Sequence, residues 1–537
     1  DKDVEEPMVM LSHYWKLSES TTLNTNIAYQ TGRVSNSRLE NPLGNNPDPT
    51  YYRKLPSYYY NDPTQWVTPP GSTEPINPNA ILAGQEFLNN SQINWNAMYI
   101  ANQNLDTEGQ AAYLLSEQRN DDNTITANML LSSIVSANMT FNAGVNFRNV
   151  KSHNYAVATD LLGAEYVLNV DSFFQGDNAQ FDLNNPNQQV GKNGTFGYNY
   201  NLFANVIDGF TQFKFNYKKF DFYLAQTFSR TEYQREGLYQ NGIYADNSFG
   251  KGQKVIFENF GFKGGLTYKL NGRNYLDFNG LYQTKAPSLR NSFSNARMNN
   301  VITPDLESES ITSADASYIL RAPKFKARLT GFYSKIQDAT EISFFYGEGI
   351  GSDDGGDEDT FVSEIVTGIE KQNMGAELGL EYQITSTIKA TAAASYGQYI
   401  FSDNAKLKTN DDALAAAGNN SLTDFGTVYI KNYHQAGMPQ TAASFGLEYR
   451  DPNFWWVGAN VNYLANTYID IASILRTDNF SIDSSTGDNY SGATPETVKD
   501  ILKQEKFDNF TLVNLTGGKS WRISKANRNT VGFFASV

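Results

Sequence analysis

TAASFGLEYRDPNFWWVGANVNYL, residues 441–464, decides how the rest of the chain is read. Successive side chains on a strand point to opposite faces, so Ala443, Phe445, Leu447 and Tyr449 share one face while Ser444, Gly446 and Glu448 share the other. Beyond a tight turn at Arg450-Asp451-Pro452-Asn453 the alternation resumes. Trp455, Val457, Ala459, Val461 and Tyr463 take one side, and Gly458, Asn460 and Asn462 the other. This is a hairpin with an apolar face, a polar face and aromatic residues crowded at its closed end. A protein core gives large aromatics no reason to gather beside a turn. A membrane interface does, because each ring keeps one end dry and one end wet. The rows of Ala443 and Val461 are therefore expected to face lipid, Ser444, Glu448, Asn460 and Asn462 the lumen, and the Tyr449 to Trp456 end the periplasmic lip.

The composition agrees with a spanning sheet. A length of 537 residues usually divides into several domains, but one large closed sheet is the permitted exception. No run of about 18 apolar residues occurs, which excludes a membrane-crossing helix. A mean hydropathy of -0.50 leaves a barrel open, since spanning strands need apolar residues only at alternate positions. The 33 Tyr and 34 Phe suit strands and interfacial girdles. With no Cys, disulfides, thiolate catalysis and cysteine metal sites are all excluded. A net charge of -15 argues against nucleic acid, whose phosphates require clustered Lys and Arg. The chain starts at Asp1 without a signal peptide, as expected of a mature or trimmed exported product.

The hairpin recurs along the chain. Short links join periodic stretches at 15–22, 136–140, 217–220, 268–275, 318–325, 382–388, 449–454 and 521–530, which predicts about sixteen strands. Tyr217, Tyr268, Tyr318, Tyr382 and Tyr449 precede five of these turns, and Phe220, Tyr275, Phe325 and Phe454 follow four, so a ring of aromatics at one level is expected. Met374 to Tyr382 and Phe262 to Tyr268 alternate cleanly. Tyr223 and Phe228 blur the stretch 220–233, which predicts either a bulge or a strand running beyond the bilayer. Between the hairpins lie long polar segments at 31–121, 151–196, 234–260, 284–309, 337–370, 402–440 and 465–509. Short turns on one side and long loops on the other are the asymmetry of an outer-membrane barrel, the turns periplasmic and the loops extracellular. Within the loops, spacing predicts short helices over 77–87, 92–102 and, from the cap-like Thr494-Pro495-Glu496, to about Gln504. The last strand, 530–537, is expected to stop in mid-strand.

A set of motifs in fixed order carries a resemblance. They are Tyr51-Tyr52-Arg53-Lys54-Leu55-Pro56-Ser57-Tyr58, Ala101-Asn102-Gln103-Asn104, Asp160-Leu161-Leu162-Gly163-Ala164-Glu165-Tyr166, Thr284-Lys285-Ala286-Pro287-Ser288, NSFSNARMNN at 291–300, Glu307-Ser308-Glu309, and Pro439-Gln440 with the hairpin at 449–456. The chain resembles the barrel of TonB-dependent outer-membrane receptors, of the Oar-like kind common in Bacteroidota. The resemblance implies an all-β, antiparallel up-and-down transmembrane barrel of about 22 strands, with an N-terminal plug and a TonB-contacting segment ahead of it. Residues 1–537 then read as barrel wall alone, with a closing strand expected after Val537 and about five strands before Met8. It implies the bacterial outer membrane as location, and as partners the lipid bilayer and the TonB complex, reached through the N-terminal region.

No catalytic constellation, metal site or cofactor site is expected. The only histidines, His13, His153 and His434, are far apart, and no motif brings a nucleophile and base together. The acidic run GSDDGGDED at 351–359 offers oxygen ligands for calcium, but its spacing is not that of an EF-hand loop, and a solvated loop tip is the favoured reading. The candidate ligand-binding residues are Tyr51, Tyr52, Arg53, Tyr58, Tyr59, Tyr60 and Trp66. Exposed rings stack on sugars or apolar groups, and Arg53 with Lys54 pairs with anions, while packing among the loops competes for the same side chains. The favoured function is TonB-dependent uptake of a scarce substrate. A passive porin and a scaffold subunit of a surface or secretion complex, partnered by surface lipoproteins, are the alternatives.

Overall fold

The computed structural model describes every residue except 61–62, 72, 105–108, 348–359, 484–485 and 524–528. Among the described residues one antiparallel sheet of 20 strands carries the fold. It opens with β1 (Lys2–Glu5) and β2 (Met8–Lys16), laid in one register along β3 (Thr21–Glu40). β4 (Leu114–Ser136) and β5 (Met139–Asp160) follow, and β6 (Val167–Leu168) with β7 (Gln189–Val190) makes a separate ladder in the next loop. The wall continues through β8 (Thr195–Asn216) and β9 (Phe220–Gly237), with β10 (Gly250–Lys251) beside the top of β9. Then come β11 (Val255–Lys269), β12 (Asn274–Lys285), β13 (Glu309–Arg321), β14 (Phe325–Gly347), β15 (Thr360–Gln383) and β16 (Ile388–Phe401). β17 (Ala405–Asp411) and β18 (Leu422–Val428) form a hairpin against upper β15, while β16 pairs onward with β19 (Thr441–Arg450). β20 (Trp455–Ala465), β21 (Phe510–Arg522) and β22 (Thr530–Ser536) complete the order. Setting aside the annexes β1, β10, β17 and β18 leaves sixteen wall strands, each antiparallel to the next.

Cross-strand register sorts the side chains into two faces. Phe445 lies opposite Val461, which lies opposite Val513, and Leu447, Ala459 and Leu515 form the next row on that face. These residues are exposed, Val513 to 61% and Phe445 to 53%, as expected where lipid is the solvent. On the other face Ser444 opposes Asn462 and Gly446 opposes Asn460, whose carbonyl accepts from Asn462 and Asn514 at 2.8 Å each. The far wall repeats this. Met129 and Val145 point out, while Asn128, Asn146 and Asp208 form an inward row in which Asn146 Nδ2 donates to Asp208 at 2.6 Å.

The turn of the 441–464 hairpin is closed locally. Asp451 accepts from the Asn453 N–H and the Tyr449 hydroxyl, both at 2.8 Å, and Phe454 takes a left-handed φ of 64°. Rings gather at the turns as expected: Phe220 stacks on Tyr268 at 5.0 Å, Phe325 meets Tyr382 edge-on at 6.2 Å, and Tyr449 lies 5.0 Å from Trp455.

The strands run further into the long segments than the sequence suggests. β3 reaches Glu40, β4 begins at Leu114, β5 ends at Asp160, and β14 and β15 extend to Gly347 and from Thr360. The physical reason is that a strand leaving the bilayer carries polar residues on both faces, so its upper half has the composition of a loop. The stretch 220–233 holds no bulge: β9 keeps one register against β8 throughout, with Tyr223 turned inward to donate to Asn279 at 3.2 Å. The loops also contain α1 (Pro56–Tyr60), α2 (Pro78–Asn89), α3 (Trp95–Asn104), α4 (Asp412–Ala416) and α5 (Pro495–Ile501). α5 stops short of Gln504, whose amide instead donates to the carbonyls of His434 and Ile469 at 2.8 Å.

Candidate functional site

The mouth is built from the upper strand ends and the loops above them. On upper β8, β9 and β11 the inward side chains turn apolar, with Tyr200, Leu202, Ala204, Tyr233 and Phe257 forming one buried cluster. The segment following β12 covers it, inserting Ala286 and a fully buried Phe293. This segment, expected as an outer loop, folds back across the inner face of the wall. Arg235, 1% exposed, pins it: Nε donates to the Ala296 carbonyl at 2.6 Å, and Nη1 donates to Asn300 Oδ1 at 2.6 Å and to the Ser248 carbonyl at 3.0 Å. Its guanidinium lies 5.1 Å from the Tyr200 ring, so a buried cation is held by carbonyl dipoles and a π face. The segment reaches β14 through Asn291 Nδ2 on the Thr340 carbonyl at 2.6 Å, and β4 through Arg297 on Gln118 at 3.0 Å.

Four loops meet at Asp412. Its carboxylate, 4% exposed, accepts from the Tyr244 hydroxyl at 2.6 Å and from Asn295 at 3.5 Å. Burial pushes its pKa up to about 7, and Asp171 and Asp411 push in the same direction. Burial also raises Asp171, and it raises Tyr244 with help from Asp412. Asp411 is the N-cap of α4, accepting from the Ala413 N–H at 2.8 Å. Asn178, from the same loop as Asp171, closes the junction by donating to the Ala416 carbonyl at 2.9 Å.

A second anchor is Asn102 on α3. Its Nδ2 donates to the carbonyls of Tyr113 and Leu161 at 2.9 Å and of Leu162 at 3.1 Å, and its Oδ1 accepts from Ala112 and Tyr113 at 2.8 and 3.0 Å. Two of the ordered motifs, at 101–104 and 160–166, thus meet in one buried, saturated side chain. The tip of α3 is held against the wall.

The predicted ligand-binding residues form two ring groups. Tyr51, Tyr52, Tyr58 and Tyr59 make a chain of edge contacts at 4.8, 5.8 and 5.3 Å, and Arg53 Nε donates to the Tyr52 hydroxyl at 3.1 Å. Tyr60 and Trp66 pair separately at 5.8 Å. Asn77 ties this region to α2, donating to the Tyr59 carbonyl at 2.7 Å while capping the helix at Ala80. Tyr52, Tyr58, Tyr60 and Trp66 remain exposed. The rings pack on one another and still present a surface.

The histidines do not converge. His13 lies on β2, His153 on β5 contacts Asn199 at 2.7 Å and stacks on Tyr155, and His434 stacks on Tyr468 at 3.9 Å, its pKa lowered by burial. Among the described residues no group of three His, Cys, Asp or Glu could hold a metal. The acidic run at 351–359 lies outside the described residues. The lower lumen wall is a hydrogen-bonded polar lining: Thr267 donates to Asp277 at 2.5 Å, Asn279 to Asp315 at 3.2 Å, and Arg328 to Ser317 at 3.3 Å. Sequence reading missed Arg235, Tyr244 and Asp412, because their partners lie tens to hundreds of residues away. The one available signal was the Asn- and Ser-rich segment at 291–300.

Comparison with known proteins places this geometry. A family model described as TonB dependent receptor-like, beta-barrel, matches residues 14–536. No curated protein matches the sequence. Among solved structures the copper transporter OprC superposes with a TM-score of 0.55 at 11% identity, over 97% of this chain and 57% of that one. The siderophore receptor PiuA from Acinetobacter baumannii gives 0.53 at 12%, over 98% and 58%. BauA, the ferric preacinetobactin receptor of the same organism, gives 0.50 at 11%, over 100% and 58%. The chain therefore spans less than two thirds of the length of these structures, and at such identity the likeness is one of fold. With the family match running through nearly all of its strands, the chain belongs to the TonB-dependent receptor-like β-barrel family of the bacterial outer membrane.

Proposed function

We propose that these residues form the wall and mouth of a TonB-dependent transporter that takes up a scarce substrate across the outer membrane. The observation that carries the reading is the 286–302 segment pinned by Arg235 inside the mouth, over a hydrogen-bonded polar lumen. A mouth crossed by its own loop suits gated uptake better than free diffusion. TonB is the expected partner, through an N-terminal region outside this chain. The exposed rings of Tyr52, Tyr58, Tyr60 and Trp66, beside Arg53 and Lys54, suit first contact with a substrate carrying sugar rings or aromatic groups and anionic substituents. The finer likeness to Oar-like receptors belongs to this reading. Its support is that the motifs at 101–104, 160–166 and 291–300 serve as loop anchors.

The test compares cells with and without the full-length receptor across scarce nutrient sources, then measures uptake of the one that separates them. A protonophore is expected to stop uptake while leaving surface binding intact. Replacing Tyr52, Tyr58 and Trp66 by Ala should weaken that binding at least roughly tenfold, from about 0.5–1.5 kcal/mol for each of the lost aromatic contacts. Uptake that persists with the protonophore would instead identify a passive pore.

A further inference from the structure

The outer surface of the wall carries a feature that uptake does not use. On the outward face, Ile27, Ala127, Phe147 and Ile207 form an apolar row across β3, β4, β5 and β8. Two residues higher the row reads Tyr29, Ile125, Asn149 and Asn205, and two higher again Thr31, Asn123, Lys151 and Phe203. At about 3.3 Å per residue and a strand tilt near 45°, Phe203 stands roughly 10 Å above the last apolar row, at the depth of lipid headgroups. Lys151 from β5 and Lys251 from β10 both reach this ring, with ammonium nitrogens 6.0 and 5.9 Å from its centroid.

Two cations on one ring are poorly balanced. An exposed cation–π contact is weak, and the ammonium groups repel each other. Of the nearby carboxylates, Glu232 pairs with Lys254 at 2.7 Å and Glu258 with Arg230 at 2.6 Å, while Glu236, opposite Lys251 in the ladder, accepts from Asn201 at 2.9 Å. Among the described residues neither Lys151 nor Lys251 has a carboxylate within 4.0 Å. An anion between them would complete the site.

We propose that Lys151, Lys251 and the Phe203 ring form a binding site for the phosphate of an outer-leaflet glycolipid. The anion is assigned to a lipid because the site stands directly above the Phe147 and Ile207 row, where acyl chains lie, and faces away from the lumen. Basic side chains just outside the hydrocarbon attract anionic headgroups. This site stands or falls independently of the substrate.

The experiment uses the full-length receptor in neutral detergent, titrated with diphosphorylated lipid A and, separately, with its dephosphorylated form, retention being read by native mass spectrometry. The phosphorylated glycolipid is expected to be retained. Lys151→Gln with Lys251→Gln should lower its affinity by roughly tenfold or more, with heat-modifiable mobility on gels confirming a folded barrel. Lys151→Arg with Lys251→Arg should keep most of the affinity. Equal retention of the dephosphorylated form, or unchanged retention by the folded Gln variant, would overturn the proposal. Full displacement by millimolar inorganic phosphate would also overturn it, by assigning the site to a soluble anion.

Discussion

Asp412 shows what a single residue does in this mouth. Loops at 161–194, 238–254 and 286–308 converge on it, facing it with Asp171, Tyr244 and Asn295, while Asp411 adjoins it on its own helix. No cation faces it. Its carboxyl pKa is raised from the ordinary value of 3.8 to about 7, so the docked loops hold the proton more tightly than undocked ones. Docking is therefore strongest in acid and weakens as pH rises through about 7. Hydrogen exchange across 405–428, corrected for intrinsic rates, should show more protection at pH 6 than at pH 8, and Asp412→Asn should remove the difference. Greater protection at pH 8 would contradict this account. None of this was legible locally. The sequence places Asp412 in a plain Asp-Asp-Ala stretch, and only tertiary folding brings Tyr244 to it. The aromatic residues from Tyr51 to Trp66 were legible as a cluster, but their edge contacts with one another were not.

Strands were the most legible elements, because alternation is local and a one-residue slip would turn every apolar side chain to the wrong side. The rows through Phe445, Val461 and Val513, and through Ser444 and Asn462, fall on the faces the alternation assigns. Their energetics follow from the two solvents. Val461→Lys places a charge against lipid near mid-strand and should cost about 2–4 kcal/mol of folding stability, whereas Asn460→Lys, one position away in the lumen, should cost less than about 1 kcal/mol. Urea titration of refolding into lipid vesicles measures both, and equal costs would mean that the faces are misassigned. Strand ends were illegible for a physical reason. Above the bilayer both faces are wet, so pairs such as Ser35 with Arg119 and Asn36 with Gln118 look like loop and are ladder. α5 ends early because the chain beyond Leu502 is drawn to His434 and Ile469 by Gln504.

At the scale of the molecule, antiparallel order forces all short turns to one side and all long loops to the other. The 286–302 segment was legible as a loop but not as the element that folds inward, since Phe293 finds its partners on three separate strands. The resulting topology is a wall with lipid outside, turns in the periplasm and loops at the cell surface. Residues 1–537 contain no cysteine, so a thiol introduced here is the only one in the wall. Ser57→Cys in the aromatic loop and Asn453→Cys in the turn of the 441–464 hairpin, each in the full-length receptor, are treated on intact cells with a membrane-impermeant maleimide. Ser57→Cys is expected to label on intact cells and Asn453→Cys only after the outer membrane is opened; labelling of Asn453→Cys alone on intact cells would contradict this topology.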